Sequence, residues 1–478
     1  MTVTELKNSE VENLHSVFEK QKSSIADFRK EGISARKVRL KKLRKWILLN
    51  EAKIVKAVQA DLGKPDAEVK LSEIRPVIAE IRKALLNINE WTGNHYVETP
   101  LSYMGTRSYI KYEPKGVALI MAPWNFPFNL TISPLVACLA AGNAAILKPS
   151  EKSANTSSLI VKMVGEVFSP KEVYAVTGDS EVAKQLLEFP FNHIFFTGSS
   201  RVGKEVMKAA AKHLAGITLE LGGKSPAIVD ATCNISDTAE KLVWGKFLNS
   251  GQTCIAPDYV LVHSSIKAKL LDKMKNNITR FFGRGSEKLS ESPDYGRIID
   301  GNHLGRLRKF MEEAIEKGAT VAAGGEIDEV GKFMSPTILE NVTLDTMLLK
   351  EEIFGPILPI ISFDKIEEAV SMVNSKPKPL ALYIFSSNKK NIRRILGSTS
   401  SGTAVINDCV LQFSHPDLPF GGVNNSGIGK SHGFYGFKQF SNEKPVLIQR
   451  TGFTAVKMLY PPYKGFVNWW VNVVTRYF

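Results

Sequence analysis

Two side chains in this sequence could together make and then hydrolyse a covalent intermediate. Cys254 closes the run Gly-Gln-Thr-Cys (251–254), and Glu220 opens the run Glu-Leu-Gly-Gly-Lys-Ser-Pro (220–226), 34 positions earlier. A thiol nucleophile and a carboxylate base are the minimum equipment for forming an acyl-enzyme and releasing it with water. Both lie in glycine-rich stretches, where the backbone can approach a ligand closely. A single cysteine is more often a small buried hydrophobe, so the prediction depends on the two motifs together.

A second glycine-rich run is a candidate phosphate site. Residues 198–203 read Gly-Ser-Ser-Arg-Val-Gly and are expected to join a strand to a helix. Free backbone N–H groups and the helix dipole favour a pyrophosphate at such a place. The spacing alone is weak evidence, since an ordinary turn explains it as well. Lys204 makes the run a near match to the P-loop of nucleoside triphosphatases, but Glu205 stands where that motif needs a hydroxyl for Mg²⁺.

The hydrophobic pattern predicts the elements that would position these residues. Residues 1–95 are expected to be helical, and 96–114 alternate like a pair of strands. Further along, short apolar runs at 117–121, 144–147 and 193–196 are followed by helical patterns at about 130–141, 153–168 and 201–214. Buried strands alternating with helices predict a doubly wound parallel sheet. A second alternating block after Glu220, ending near residue 428, predicts a separate α/β domain.

The composition narrows the class of protein. With 44% hydrophobic and 23% charged residues over 478 positions, the chain reads as soluble and globular, with more than one domain. Four scattered cysteines (Cys138, Cys233, Cys254 and Cys409) and no secretory signal favour a reducing, cytoplasmic setting. The eight histidines show no metal-ligand spacing, and no run of about 20 apolar residues could span a bilayer.

The net charge of +14 raises the question of an anionic partner. Residues 36–45 carry seven basic side chains, but leucines interleave with them at helical spacing, as on the solvated face of an amphipathic helix. No zinc-finger spacing or RNA-binding signature accompanies them. We therefore expect no nucleic-acid partner.

The motifs resemble those of the aldehyde dehydrogenase superfamily over nearly the whole chain. Besides the two runs around Cys254 and Glu220, the resemblance rests on Pro-Trp-Asn-Phe-Pro (123–127), Lys-Pro-Ser-Glu (148–151), the 198–203 loop, Glu-Ile-Phe-Gly-Pro (352–356) and Pro-Phe-Gly-Gly (419–422). Cys-Ile-Ala-Pro-Asp-Tyr (254–259) and Tyr-Pro-Pro-Tyr (460–463) are similar to the class 3 branch, which contains fatty and aromatic aldehyde dehydrogenases.

The resemblance implies a reaction and roles for three residues. An aldehyde would be oxidised to a carboxylic acid through a thiohemiacetal and a thioester on Cys254, with Asn125 donating to the oxyanion and Glu220 activating the hydrolytic water. A relative that passes the thioester to coenzyme A would gain nothing from a base at Glu220, so hydrolysis is favoured over acylation. A non-catalytic, membrane-associated scaffold with this fold is the third reading.

The resemblance also implies a nicotinamide cofactor. Lys148 and Glu151 would bind the adenosine ribose, and a carboxylate there favours NAD, with NADP as the alternative. Glu352 and Phe354 would hold the nicotinamide ribose and ring. The full set of expected cofactor contacts is Trp124, Lys148, Glu151, Gly198, Ser199, Gly203, Leu221, Glu352 and Phe354.

The expected architecture is an aldehyde dehydrogenase-like α/β fold with a Rossmann-type cofactor domain, an α/β catalytic domain and a small β oligomerisation arm. The cofactor domain would comprise 1–95 and 115–219, the catalytic domain 220–428, and the arm 96–114 with 438–452, with 453–478 as a C-terminal tail. The arm implies a homodimer.

Two positions depart from the pattern of the class 3 branch, and the role of the C-terminal segment stays open. Asn424 stands where Gly is usual, and Ser431 precedes His432 where Tyr is more frequent, which puts the substrate preference in doubt. At the C terminus a helical apolar stripe is predicted, formed by Phe466, Trp469, Trp470, Val473, Val474 and Tyr477. It could lie on a membrane, cover the substrate entrance or dock on a subunit.

Overall fold

The structure is a computed structural model of the 478-residue chain. It describes residues 3–100, 103, 105–283, 288–452, 454, 457 and 460–477; for residues 3–12 and 474 it describes the backbone alone. Parts of the expected arm and tail (101, 102, 104, 453, 455, 456, 458, 459 and 478) therefore lie outside the described residues, as does the side chain of Val474 in the predicted stripe.

Helices dominate the first hundred residues, as predicted. They are α1 (Val3–Lys30), α2 (Ile33–Leu49), α3 (Glu51–Leu62), α4 (Asp66–Val69) and α5 (Arg75–Trp91), with a π-helical turn (Lys70–Ile74) joining the last two. The basic segment 36–45 lies in α2, whose Leu40, Leu43 and Ile47 are buried. Lys41, Lys42, Arg44 and Lys45 are exposed, as the amphipathic pattern predicted, but Arg36 is buried and donates to the carbonyl oxygen of Ala140 at 3.1 Å.

A six-stranded sheet forms the first α/β unit. Its elements are β3 (Val117–Met121), α6 (Asn129–Ala141), β4 (Ala144–Lys148), α7 (Ala154–Val167), β5 (Val173–Ala175), α8 (Ser180–Leu187), β6 (His193–Gly198), α9 (Ser200–Lys212), β7 (Gly216–Leu221) and β17 (Gly427–Ile428). The strand order is β17-β7-β6-β3-β4-β5, parallel except for β17. Ala118 and Ile120 enter one apolar cluster and Val117 and Leu119 another, so the sheet is buried on both faces.

A seven-stranded sheet forms the second unit. Its elements are β8 (Pro226–Val229), α10 (Ile235–Phe247), β9 (Tyr259–His263), α11 (Lys267–Phe282), α12 (Gly301–Glu316), β10 (Thr320–Ala323), β11 (Ile327–Asp328), β12 (Phe333–Met334), β13 (Thr337–Glu340), α13 (Met347–Lys350), β14 (Ile357–Phe363), α14 (Ile366–Asn374), β15 (Ala381–Phe385), α15 (Lys389–Ser398) and β16 (Thr403–Ile406). The order β10-β13-β14-β9-β8-β15-β16 is parallel apart from β10, and β11 and β12 pair separately.

The arm is a three-stranded antiparallel sheet in the order β1 (His95–Tyr96), β2 (Thr106–Pro114), β18 (Ser441–Gln449). The long partner of β2 is β18, in register from Ser441 opposite Pro114 to Gln449 opposite Thr106. The prediction of a strand pair within 96–114 was therefore incomplete, because β1 has only two residues. The helix α16 (Gly433–Gln439) leads into β18 and packs against α5 and α6.

The expected border at 219/220 falls inside a strand. β7 continues through Glu220 to Leu221, and the chain enters the second sheet only at β8. The short strand β17, at the end of the segment expected to be catalytic, pairs with β7 of the first sheet, Gly427 opposite Glu220. Near the C terminus the predicted helix is present as α17 (Gly465–Tyr477). Among the described residues no helix is long and apolar enough to cross a bilayer.

Candidate active site

Cys254 follows a backbone turn of unusual shape. Asn249, Ser250 and Gly251 have φ values of 53°, 51° and 73°, so three consecutive residues are left-handed. Two of them are not glycine, and each such residue costs free energy that the surroundings must supply. A β-carbon on Gly251 would lie 2.2 Å from the carbonyl oxygen of Gly355. Glycine is therefore required at position 251, because the backbone is left-handed there and because the Gly355 carbonyl leaves no space for a β-carbon.

Hydrogen bonds from distant parts of the chain fix this turn. The Asn249 N–H donates to the Glu68 carboxylate at 3.0 Å, and its side-chain amide donates to the carbonyl oxygen of Asn125 at 2.9 Å. Gln252 donates to the carbonyl oxygen of Arg297 at 2.9 Å and accepts from the Ile299 N–H at 3.0 Å. Each partner comes from another element, so the loop that carries the thiol is rigidly positioned.

Asn125 is joined to the same loop from the other side. Its side-chain amide donates to the carbonyl oxygen of Gln252 at 3.0 Å, two residues before Cys254, and the residue is 2% exposed. The buried ammonium of Lys64 donates to the Asn125 carbonyl at 2.7 Å and to Glu73 at 2.9 Å. The structure thus brings Asn125 to the loop that carries Cys254, and adds Lys64, which the sequence did not single out.

Two cavities meet at Cys254. The larger, about 630 Å³, is mainly apolar, and Cys254, Thr253 and Phe126 lie in its wall. The smaller, about 240 Å³, contains Asn125, Glu220 and Cys254. The thiol therefore faces two cavities, one suited to an apolar group and one in which polar and charged side chains lie beside aromatic rings.

The larger cavity opens between α4–α5, α11 and the turn after β16. Its apolar wall consists of Pro65, Leu71, Pro76, Phe126, Leu130, Trp244, Leu248, Ile255, Phe281, Phe282, Val410, Leu411 and Phe413. Charged groups are few, with Glu68, Arg75, Arg280 and Asp294 in the lining. Its size is that of a small-molecule pocket, and its chemistry suits an aliphatic or aromatic group.

The smaller cavity gathers most of the expected cofactor contacts. Trp124, Gly198, Ser199, Leu221, Glu352 and Phe354 all line it. The Trp124 ring stands edge-on to Phe354 at 5.4 Å and to His303 at 4.9 Å between centroids. His303 and Arg306 also line this cavity and were missed, because neither belongs to a recognisable motif. Their shared position at the start of α12 became visible only once the two sheets were assembled.

Three expected cofactor residues lie outside the cavity lining. Lys148 ends β4 and donates to Glu151 at 2.7 Å, so these two form an ion pair at the carboxyl edge of the first sheet. Gly203 lies in the first turn of α9, where a β-carbon would lie 2.7 Å from the Leu221 side chain. Gly203 thus permits close packing of helix on strand.

The cavity and its rim fit a dinucleotide. The helix α9 starts at the carboxyl edge of the sheet, and Ser199 caps it by accepting from the Val202 N–H at 3.4 Å. A β-carbon at Gly222 would lie 2.0 Å from the Glu352 carboxylate, so that carboxylate rests against bare backbone. Open parallel sheets bind nucleotides at this edge, with pyrophosphate near a helix N terminus.

Glu220, near the end of β7, is 6% exposed, and hydroxyl groups bind both of its carboxylate oxygens. Ser431 donates to one oxygen, and Thr197 donates to the other at 3.4 Å. Burial raises the pKa of the Glu220 carboxyl, while the Ser431 hydroxyl and the nearby His432 oppose that rise. Burial and the hydrogen-bond donors thus act on the Glu220 carboxyl in opposite directions, as is common for ionisable groups at functional sites.

Burial, with the carboxylates of Glu352 and Glu220, raises the pKa of the Cys254 thiol well above its ordinary value. Burial, with the neighbouring Asp258, raises the pKa of Glu352 to about 8. With nothing bound, the thiol is therefore protonated at neutral pH, and it needs a base or a positive charge to become a nucleophile.

Comparison with known proteins agrees with this geometry. The sequence model of the aldehyde dehydrogenase family matches residues 1–446. The putative aldehyde dehydrogenase AldX of Bacillus subtilis is 44% identical over 441 residues, covering 92% of this chain and 98% of the relative. Aldehyde dehydrogenase family 3 member A2 of Rattus norvegicus is 41% identical over 454 residues, covering 95% and 91%.

A solved structure extends the similarity to the fold. The substrate-bound state of Staphylococcus aureus AldH has a TM-score of 0.92 and 40% sequence identity, covering 97% of this chain and 99% of that one. The expected fold class and class 3-like resemblance are confirmed. The chain therefore belongs to the aldehyde dehydrogenase family, and it is an NAD(P)-dependent oxidoreductase that converts aldehydes to acids.

Proposed function

We propose that this enzyme oxidises medium- to long-chain aliphatic or aromatic aldehydes, with Cys254 as the nucleophile, Asn125 as the oxyanion donor and Glu220 as the deacylation base. The observation that carries the proposal is the position of Cys254, in the wall of both cavities at once. An aldehyde in the larger, apolar cavity presents its carbonyl to the thiol, while the smaller cavity holds the group that takes the hydride.

The first step is addition of the Cys254 thiolate to the carbonyl carbon. Asn125 is held at the nucleophile loop and donates a side-chain N–H to the developing oxyanion; loss of one such donor lowers turnover by about 10²–10³. NAD(P)⁺ held in the smaller cavity would supply the hydride acceptor needed to convert the adduct on Cys254 to a thioester. Glu352 and Phe354, which line that cavity, would orient the cofactor.

Hydrolysis of the thioester completes the cycle. Glu220 takes a proton from water, the hydroxide attacks the acyl carbon, and the Cys254 thiolate leaves as the acid forms. A buried carboxylate held by two hydroxyl donors is suited to this task. This arrangement favours hydrolysis over transfer of the acyl group to coenzyme A.

Replacement of the nucleophile tests the assignment. Cys254→Ala is expected to abolish NADH formation from decanal while leaving the dissociation constant for NAD⁺ within about twofold. Cys233→Ala is the matched control, because Cys233 is a free, partly exposed thiol outside both cavities. Turnover of Cys254→Ala at the wild-type rate would refute the mechanism.

The base is tested by trapping the intermediate. Glu220→Gln should still form the thioester, so mass spectrometry after mixing with decanal and NAD⁺ should find an acyl group on Cys254. Glu205→Gln, on the exposed face of α9, is the control and should not accumulate it. If Glu220→Gln turns over at full speed without an adduct, the base is another group; acceleration by coenzyme A would favour the acylating alternative.

The ion pair at the adenosine end supports a preference for NAD. The Glu151 carboxylate, bound to Lys148, would accept from ribose hydroxyls and repel a 2′-phosphate. Glu151→Gln is expected to tighten binding of NADP⁺ relative to NAD⁺ in fluorescence titrations. An unchanged ratio of the two dissociation constants would place the discrimination elsewhere.

We further propose a homodimer formed through the arm. Of the described strands in its sheet, β18 lies at the edge, and its Leu447 and Ile448 are exposed together with Tyr96 of β1. An apolar edge strand is a surface that pairs with another chain. Leu447→Lys with Ile448→Lys should shift the protein to the monomer mass in light scattering; Leu214→Lys, another exposed leucine, should not. A dimer in both variants would locate the interface elsewhere.

For the tail we propose peripheral contact with an anionic membrane in a reducing compartment. Phe466, Trp469 and Tyr477 of α17 are exposed, and 444–478 contains five basic residues and no acidic one. Aromatic side chains on a cationic helix favour lipid headgroups. Deleting the residues after Tyr463 should weaken co-sedimentation with phosphatidylserine vesicles and lower kcat/KM for C12–C16 aldehydes only. Loss of the dimer instead would assign the helix to a subunit contact.

A further inference from the structure

Glu220 belongs to a buried polar cluster that reaches beyond the reacting groups. A small cavity of about 20 Å³ lies behind it, with Glu220, Ser431, His432 and Glu80 in the wall. A space of this size is about that of a single water molecule. Glu220 also lines the cavity that contains Cys254, so its carboxyl lies between the two spaces.

Ser431 contacts Glu220 directly. Its hydroxyl donates to the carboxylate and also lies 3.3 Å from the carbonyl oxygen of Phe420. The Ser431 backbone is fixed by a two-way bridge to Phe420, with N–H donors in both directions at 2.6 and 3.2 Å. Ser431 is 9% exposed, so water competes little for the hydrogen bond between its hydroxyl and Glu220.

His432 adds a charge to the cluster. Its Nδ1 lies 3.1 Å from a Glu80 carboxylate oxygen, and the other Glu80 oxygen accepts from the Gly433 N–H at 3.0 Å. The imidazole is enclosed by the rings of Phe413 and Phe420 at 4.9 and 5.4 Å between centroids. Its backbone φ of 73° is rare for a residue with a side chain, so the local structure enforces this position.

We propose that Ser431 is a positioning residue for Glu220, and that the His432 imidazole, held against Glu80, favours the ionised, base-competent carboxylate when it is protonated. The inference rests on the proposed role of Glu220 in deacylation. A hydroxyl donor and an imidazolium both stabilise an anion, and in a buried site each effect is large.

Other charged groups near Glu220 also favour or oppose ionisation of its carboxyl. Lys430 also favours the ionised form, and its ammonium is fixed by the carbonyl oxygens of Gly421 and Gly402 at 2.5 and 3.2 Å. Glu80 holds the pKa of His432 above its ordinary value against the effect of burial, and Glu220 contributes to the same rise. On the Cys254 side, a thiolate would oppose ionisation of Glu220, and that charge is absent once the thioester has formed.

Removal of the Ser431 hydroxyl should therefore slow deacylation and leave acylation intact. In Ser431→Ala the acyl group on Cys254, trapped by quenching and measured by mass spectrometry with decanal and NAD⁺, should persist longer. The acid limb of its decay rate should move to higher pH by about one to two units, the strength of a hydrogen bond to a charged group. His432→Gln should move the limb in the same direction.

Matched variants separate this role from a structural one. Ser431→Thr keeps a hydroxyl and should restore the wild-type limb, while Ser441→Ala removes another buried serine hydroxyl, bound to the Phe437 carbonyl, and should change nothing. Should Ser431→Ala not fold, Ser431→Cys, whose thiol is a weak donor, takes its place. A wild-type decay rate and pH limb in the serine variant would overturn the inference. If Glu220→Gln also failed to accumulate the adduct, the proposed base itself would be wrong.

Discussion

Replacing Lys64 by methionine should leave the buried carboxylate of Glu73 without a counter-ion beside the active site. Lys64 and Glu73 are fully buried, 2.9 Å apart, and the same ammonium donates to the Asn125 carbonyl at 2.7 Å and lies 3.9 Å from the centre of the Phe126 ring. Methionine retains an unbranched apolar side chain and removes the charge. The variant thus tests the ion pair with little change in packing.

The magnitude follows from burial. At 2.9 Å and an effective dielectric constant of about 20, the attraction is roughly 6 kcal/mol, part of which offsets the loss of hydration. Breaking one half of such a pair typically costs about 3–5 kcal/mol of unfolding free energy, a large part of the stability of a typical domain. In the variant Glu73 would still accept a hydrogen bond from the Asn129 N–H at 2.9 Å, but one neutral donor does not offset the cost of burying an unpaired carboxylate.

Urea denaturation followed by fluorescence, with kcat measured on the same samples, is the assay. Lys64→Met should lower the unfolding free energy by about 3–5 kcal/mol, and the double variant Lys64→Met/Glu73→Gln should recover most of that loss because no charge is left unpaired. Lys184→Met, which breaks the exposed pair with Glu181, should leave the unfolding free energy nearly unchanged. A loss of under 1 kcal/mol in Lys64→Met, or no recovery in the double variant, would refute the reasoning.

Three other substitutions address the site. Asn125→Ala should lower kcat by about 10²–10³ without changing the dissociation constant of NAD⁺, and a smaller loss would assign the oxyanion to backbone donors. Burial, with the neighbouring Asp258, raises the pKa of the Glu352 carboxyl to about 8, so NAD⁺ affinity measured by fluorescence should rise between pH 7 and 9 as this proposed ribose acceptor ionises. Glu352→Gln should flatten that profile, and a parallel rise in the variant would contradict the reasoning. Burial raises the pKa of Glu68 to about 7, so the folded state binds a proton more tightly and stability falls as pH rises from about 4.5 to 7. Glu68→Gln, which can still accept from Asn249, should reduce this fall in urea midpoints; an unchanged pH dependence would count against it.

Local patterns predicted three of the six strands of the first sheet, and short motifs pointed to the candidate site residues. The strands around 117–121, 144–147 and 193–196 are continuous apolar runs, and each is buried on both faces. Such runs can be recognised as strands without knowing which elements pack on either face of the sheet. Cys254, Asn125 and Glu220 lie in short motifs whose glycines and prolines restrict the backbone. The structure then places all three around one cavity.

Contacts between distant segments were not predictable in the same way. β2 pairs with β18 more than 300 residues later, and an edge pairing of this kind leaves no local period in the sequence. His303 reaches the cofactor cavity only because α12 starts beside the loop that carries Trp124. Ser431 was noticed as a departure from the branch, but its hydrogen bond to Glu220 required the folded chain.

The electrostatics of the site favour an inactive thiol at rest. Cys254 lies near Glu220 and Glu352, and both carboxyls would repel a thiolate, while burial removes its hydration. Glu220 is bound by Ser431 and Thr197, so its oxygens are engaged by hydroxyl donors rather than directed at the nucleophile. The same burial that protects the thiol also strengthens every charge introduced into the cavity. A charge that enters the smaller cavity beside Cys254 therefore changes the ionisation of the thiol more than the same charge would in water.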